Sequence, residues 1–144
     1  MLITGFISKL NTKSRDARKG RNSMPRVVHF EIDAKMPERA IAFYKKVFGW
    51  KIDKWKGPVE YWLITTGKDE PGIDGGLSKR TEAQPATVNT IDVPAIDDFI
   101  KKVKANGGKI TRKKGAVPGV GWLAYFKDPE GNQWGMMQND PSAK

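Results

Sequence analysis

From Arg26 onward the chain alternates. Val28, Phe30 and Ile32 fall on one face of an extended segment, Arg26–Asp33, and His29, Glu31 and Asp33 fall on the other, which predicts a half-buried strand. The period then changes. Pro37 suits a first helical position, Glu38 suits the positive end of the helix dipole, and Ala40, Phe43, Tyr44 and Val47 recur at i, i+3, i+4 and i+7. Gly49 supplies the stop. Three short strands are predicted near Trp50–Trp55, Glu60–Thr66 and Ile73–Lys79, separated by Gly, Pro and Asp turns.

The second half repeats the order. Thr87–Val93 reads as a strand, and Pro94 opens a helix carrying Ile96, Phe99, Ile100 and Val103 on one stripe. Asn106-Gly107-Gly108 ends it, and strands near Lys109–Lys113, Gly121–Lys127 and Gln133–Gln138 follow. Ile32-Asp33 matches Ile91-Asp92, and Lys51-Ile52 matches Lys109-Ile110. Residues 61–80 align with 121–140 without a gap, setting Trp62-Leu63 on Trp122-Leu123 and Gly75 on Gly135. The pattern is β-α-β-β-β written twice, an α+β duplication in which each helix must cover one sheet face. Asp128-Pro129-Glu130-Gly131 has the chemistry of a tight turn and is expected to join the last two strands as a hairpin.

Composition removes several chemistries. The 144 residues contain no cysteine, hence no disulfide, thiolate zinc site, thiol nucleophile or iron–sulfur cluster. There is one histidine, so a Ser-His-Asp triad would have to use His29 and no multi-histidine metal centre can form. No apolar run approaches the roughly 20 residues of a membrane helix. Half of the net charge of +10 sits before Ser23, where six basic side chains face the single acid Asp16. Residues 1–23 are therefore expected to be a disordered or non-native basic extension, because low hydrophobicity with high charge cannot offset ordering entropy. A secretory leader would place its charges ahead of its apolar stretch, and here the order is reversed. The domain proper is expected at 24–144, with module one at 26–80 and module two at 86–138. The expected compartment is the cytoplasm.

Val27-Val28-His29-Phe30-Glu31-Ile32, the helix end Ala42-Phe43-Tyr44-Lys45-Lys46-Val47-Phe48-Gly49-Trp50, the turn Asn106-Gly107-Gly108 and Asp128-Pro129-Glu130-Gly131-Asn132 resemble the vicinal oxygen chelate superfamily. This is the group of glyoxalases, bleomycin resistance proteins and extradiol dioxygenases. The resemblance implies that the two βαβββ modules form a cup-shaped mixed sheet, a helix covering each module, with a ligand on the concave side. Closure within one chain and closure across a homodimer are both open.

Metalloenzymes of that group hold a divalent ion through His and Glu side chains on the first and last strand of each module, where it acts as a Lewis acid. Carried onto this chain, the four places are His29, Val88, Gly75 and Gly135, and only the first can coordinate. Glu31, two residues along the same strand, could share an ion with His29, but two ligands fall short of the usual three or four. No metal and no cofactor are expected. The expected function is binding of a small molecule in the cup without the metal centre, with His29, Glu31, Gln133, Met137 and Trp122 as ligand-binding residues. The alternative is a lyase- or dioxygenase-related enzyme using His29 and Glu31 as acid–base groups or partial metal ligands. As an enzyme it would be a lyase or isomerase related to lactoylglutathione lyase. Glu31 is expected to raise the His29 pKa unless burial opposes it. Lys101, Lys102, Lys104, Lys109, Arg112, Lys113 and Lys114 read as a solvated face, so no specific nucleic-acid partner and no membrane partner is expected.

Overall fold

The computed structural model describes residues 24–79 and 87–144, and the expected extension 1–23 lies outside them. The described residues carry the α+β duplication. The first half consists of β1 (Arg26–Ala34), α1 (Pro37–Phe48), β2 (Lys51–Lys54), β3 (Tyr61–Thr65) and β4 (Asp74–Lys79). The second consists of β5 (Thr87–Asp92), α2 (Ile96–Ala105), β6 (Lys109–Val117), β7 (Gly121–Lys127) and β8 (Gln133–Asn139). The chain divides inside β5 into two compact units, one built on Val28–Thr90 and the other on Ile91–Lys144.

In the first unit the strand order is β2-β3-β4-β1, with β1 parallel to β4 and the remaining pairs antiparallel. Alternation sends Phe30, Ile32 and Ala34 into a cluster with buried Ile52, Trp62, Ile64 and Leu77 under α1. His29 and Glu31, of opposite parity, occupy the other face. The α1 stripe differs from the one expected. Pro37 is buried and Ala40, Ile41 and Tyr44 pack on the cluster, whereas Phe43 and Val47 are 54% and 55% exposed. Ala40 through Tyr44 is apolar throughout, so two overlapping stripes can be read there, and packing against the sheet selects the one through Ile41.

In the second unit β6, β7 and β8 are antiparallel. Ile96, Phe99, Ile100 and Val103 of α2 pack with Val93, Ala124 and Met136, the stripe that the period predicts. The Ile96 backbone N–H, orphaned at the helix start, donates to the side-chain Oε1 of Gln138 on β8 at 2.9 Å. Strand β6 runs four residues past its expected end at Lys113, with register irregularities between Ile110 and Arg112 and between Arg112 and Gly115. Its Lys-rich sequence is polar because β6 is an edge strand, yet β7 continues to pair with it. The expected hairpin joins β7 to β8. Asp128 Oδ1 accepts from the Glu130 and Asn132 amides at 2.9 Å, and Gly131 takes a φ of 88° that disfavours any side chain.

The gapless alignment of the two halves fails at its last strand. Ile64 pairs with Gly75, whereas the corresponding Ala124 pairs with Met136, one residue further on. A slip of one residue exchanges the faces of a strand. Gly75 therefore lies beside Phe30 on the α1 side, while Gly135 pairs with Tyr125 on the face away from α2. The β4 residue facing Glu31 is Gly76 instead.

Candidate functional site

The face of the first unit away from α1 gathers three buried polar side chains. His29 is fully buried, Glu31 is 6% exposed and Tyr61 is 1% exposed. His29 Nδ1 lies 3.1 Å from the backbone oxygen of Asp74, directly across the β1–β4 pairing. A carbonyl oxygen only accepts, so Nδ1 carries the proton, and in the neutral ring Nε2 keeps its lone pair. That lone pair faces Glu31 Oε1 and the Tyr61 hydroxyl, each at 3.5 Å, and the hydroxyl donates to Glu31 Oε1 at 3.2 Å.

Tyr61 belongs to β3, and β4 lies between it and β1. Its hydroxyl reaches Glu31 by crossing over Gly76, where an added Cβ would collide with the phenol oxygen. Glycine at that point is a condition for the cluster. Two residues along the same pairing, Ser78 donates to Asp33 Oδ1 at 2.6 Å. Burial pushes the His29 pKa well below 6.5, and the hydrogen bond to the Asp74 carbonyl opposes this without reversing it. Burial, the condition under which no rise through Glu31 was expected, holds here, and with a neutral ring the 3.5 Å approach to the carboxylate is not an ion pair.

The other three expected residues belong to the second unit. Met137 is buried and shares with Gln133 the face away from α2, where Gln133 Nε2 donates to Thr111 Oγ1 at 2.9 Å. Trp122 lies on the opposite face, against the α2 cluster, with its indole N–H on Asp140 Oδ2 at 3.0 Å. Trp122, whose face the sequence left unassigned, is partly buried on the α2 side and so does not share a face with Met137. Sequence reading missed Tyr61 altogether. Its signals were the parity opposite to Trp62 and Ile64, and the Gly75-Gly76 pair that marks a close approach on the neighbouring strand.

A divalent ion of the kind the resemblance implies needs at least a third donor beside His29 and Glu31. Among the described residues no three His, Asp or Glu side chains converge to hold one. Val88 is a buried valine, Gly76 has no side chain, and the phenol that fills the space above it is hydrogen-bonded to Glu31. The donor set does not fit a metal centre of that kind.

Residues 26–136 match the profile of the glyoxalase, bleomycin resistance protein and dioxygenase superfamily. The chain is 27% identical over 116 residues to the lactoylglutathione lyase GLX1 of Arabidopsis thaliana, covering 73% of this chain and 41% of that one. It thus spans less than half the length of that relative. Among solved structures, a glyoxalase/bleomycin resistance protein/dioxygenase superfamily member from Vibrio splendidus 12B01 superposes with a TM-score of 0.57 at 19% identity, covering 81% of this chain and all of that one. The Mn(II)-bound glyoxalase from Novosphingobium aromaticivorans gives 0.53 at 19% identity, over 83% of this chain and 41% of that one. At such identities the likeness is one of fold. With two βαβββ modules and a profile match across nearly all described residues, the chain belongs to the glyoxalase, bleomycin resistance protein and dioxygenase superfamily.

Proposed function

We propose that the protein binds a small organic molecule through the His29–Glu31–Tyr61 face without the metal centre of its metalloenzyme relatives. The observation carrying this reading is the donor set: the place that would face Glu31 from β4 is a glycine spanned by a phenol. The neutral imidazole, the Glu31 carboxylate and the Tyr61 hydroxyl are the linked polar groups of this face. The complementary ligand is a molecule bearing hydroxyl or amide donors on an otherwise apolar body. Met137 and Gln133 are proposed as ligand-contacting residues on the second unit's face away from α2. This reading involves no cofactor and no nucleic acid, and it takes the protein to be cytoplasmic, a monomer or a homodimer.

The second reading is an acid–base enzyme of the lyase or isomerase kind. It is favoured by the lone pair on Nε2, since a neutral imidazole beside a carboxylate can take a proton from a bound substrate. Elemental analysis of protein purified without chelators, combined with ligand-observed NMR against hydroxylated and carbonyl metabolites, tests the main reading. Substoichiometric metal and hits that weaken at least fivefold in His29→Gln or Tyr61→Phe support it. Zinc, nickel or manganese bound one per chain and lost in His29→Ala would overturn it. Consumption of a hit by the wild type, lost in His29→Gln, would shift the assignment to the enzyme.

A further inference from the structure

The α1 side of the first unit carries a second feature, away from the His29 face. The β1–α1 corner opens a groove of about 480 Å³ lined by Lys35, Met36, Arg39, Ala40, Phe43 and Tyr44. That volume lies within the few-hundred-Å³ range of small-molecule sites. Its apolar wall is exposed yet built. Met36 and Phe43 are 53% and 54% exposed, and the Phe43 ring stands edge-on to Tyr44 at 5.3 Å. Tyr44 stacks on Trp50 at 5.2 Å, and Trp50 rests on Phe30 of the core at 5.8 Å. The wall is therefore held in place from below.

Its polar rim is purely cationic. Neither the Lys35 ammonium nor the Arg39 guanidinium has an ion-pair or hydrogen-bond partner among the described residues. Of the nearest acids in sequence, Asp33 accepts from Ser78, and Glu38 does not line the groove. The first turn of α1 starts at Met36 without a side-chain cap and carries Glu38 against its dipole, so the positive charge at this end is that of Lys35 and Arg39.

We propose that this groove binds an aromatic carboxylate. Arg39 and Lys35 would hold the carboxylate, Arg39 as a fork onto its two oxygens, and the ring would lie against Phe43 and Met36. Charge complementarity selects this occupant: two unpaired cations border an aromatic wall, and burying the ring removes Met36 and Phe43 from water.

The test titrates 2-naphthoate, with 2-naphthalenemethanol as the uncharged analogue, into the full-length 15N-labelled protein. Saturable amide shifts confined to residues 34–44, with a Kd on the order of 1 mM for so small a ligand, are expected. Binding should weaken at least fivefold for the alcohol, for Arg39→Gln and for Phe43→Ser. Equal affinity for acid and alcohol, no effect of Arg39→Gln, or shifts centred on His29 and Glu31 would each overturn the proposal. So would binding to phosphatidylserine vesicles lost in Phe43→Ser without any naphthoate response, since the patch would then be a lipid contact. A concentration-dependent dimer abolished by Phe43→Ser, likewise without naphthoate binding, would make it a contact between copies.

Discussion

His29 carries the sharpest residue-scale consequence. Its folded pKa lies below its ordinary 6.5, so as pH falls the unfolded chain takes up the proton first. The stability it contributes is full above about pH 6.5 and is lost as pH drops toward the folded value. The melting temperature is expected to be flat from about pH 7 to 8 and to fall below about pH 6, with a shallower fall in His29→Gln. An identical fall in the variant would assign the effect elsewhere. Asp128 and Asp140 do not confuse the window, because hydrogen bonds from Asn132 and Ser142 respectively hold them below the usual carboxylate value of 3.8. Gly76 gives a second prediction. Gly76→Ala drives a methyl into a buried tyrosine and should cost about 1–3 kcal/mol in chemical denaturation. Gly67→Ala, with open space where its methyl would go, should stay within about 0.5 kcal/mol. Comparable effects of the two would show that Tyr61 does not cross there. The alternation of β1 made His29 and Glu31 legible as a pair on the face away from the helix. Tyr61 was not legible, because its partnership depends on a strand placed between two others that are 30 residues apart in sequence.

At the scale of elements, α1 and α2 contrast. On α2 the apolar residues admit one stripe, and that stripe is buried. On α1 the run Ala40–Tyr44 admits two, and the exposed Phe43 and Val47 are what remains of the stripe not chosen. Ile41→Ala should cost about 1–2 kcal/mol, reduced from a full core loss because Ile41 is only partly buried. Val47→Ala should stay within about 0.5 kcal/mol. The reverse order of the two losses would restore the stripe read from spacing. The start of α2 relies on Gln138, a cap that no local sequence rule reveals because it comes from β8, 42 residues away. Gln138→Ala is expected to cost about 0.5–2 kcal/mol, as loss of an N-terminal cap does. A silent Gln138→Ala would mean that water replaces the carbonyl.

For the molecule as a whole, the lack of a third donor beside His29 and Glu31 among the described residues predicts indifference to metal. A ligand present at 100 times its Kd stabilises a fold by about 2.7 kcal/mol, a shift of several degrees at this size. Zinc, nickel or manganese at about 0.1 mM should therefore leave the melting temperature unchanged within about 1 °C, and a rise of several degrees that His29→Ala abolishes would contradict the donor-set argument. The sequence by itself determined the duplicated βαβββ order, the α2 stripe, the β7–β8 hairpin and the opposed faces of β1, because each follows from a period or turn chemistry confined to a few neighbouring residues. Only the tertiary structure decided which α1 stripe is buried, that β4 is offset by one residue from β8, that Trp122 packs on the α2 side, and that Tyr61 spans Gly76 to Glu31. It also decided that burial outweighs the neighbouring carboxylate at His29. Register, reach and desolvation are set by strands and helices brought together from distant parts of the chain, and a one-residue shift in any of them moves a side chain to the other face.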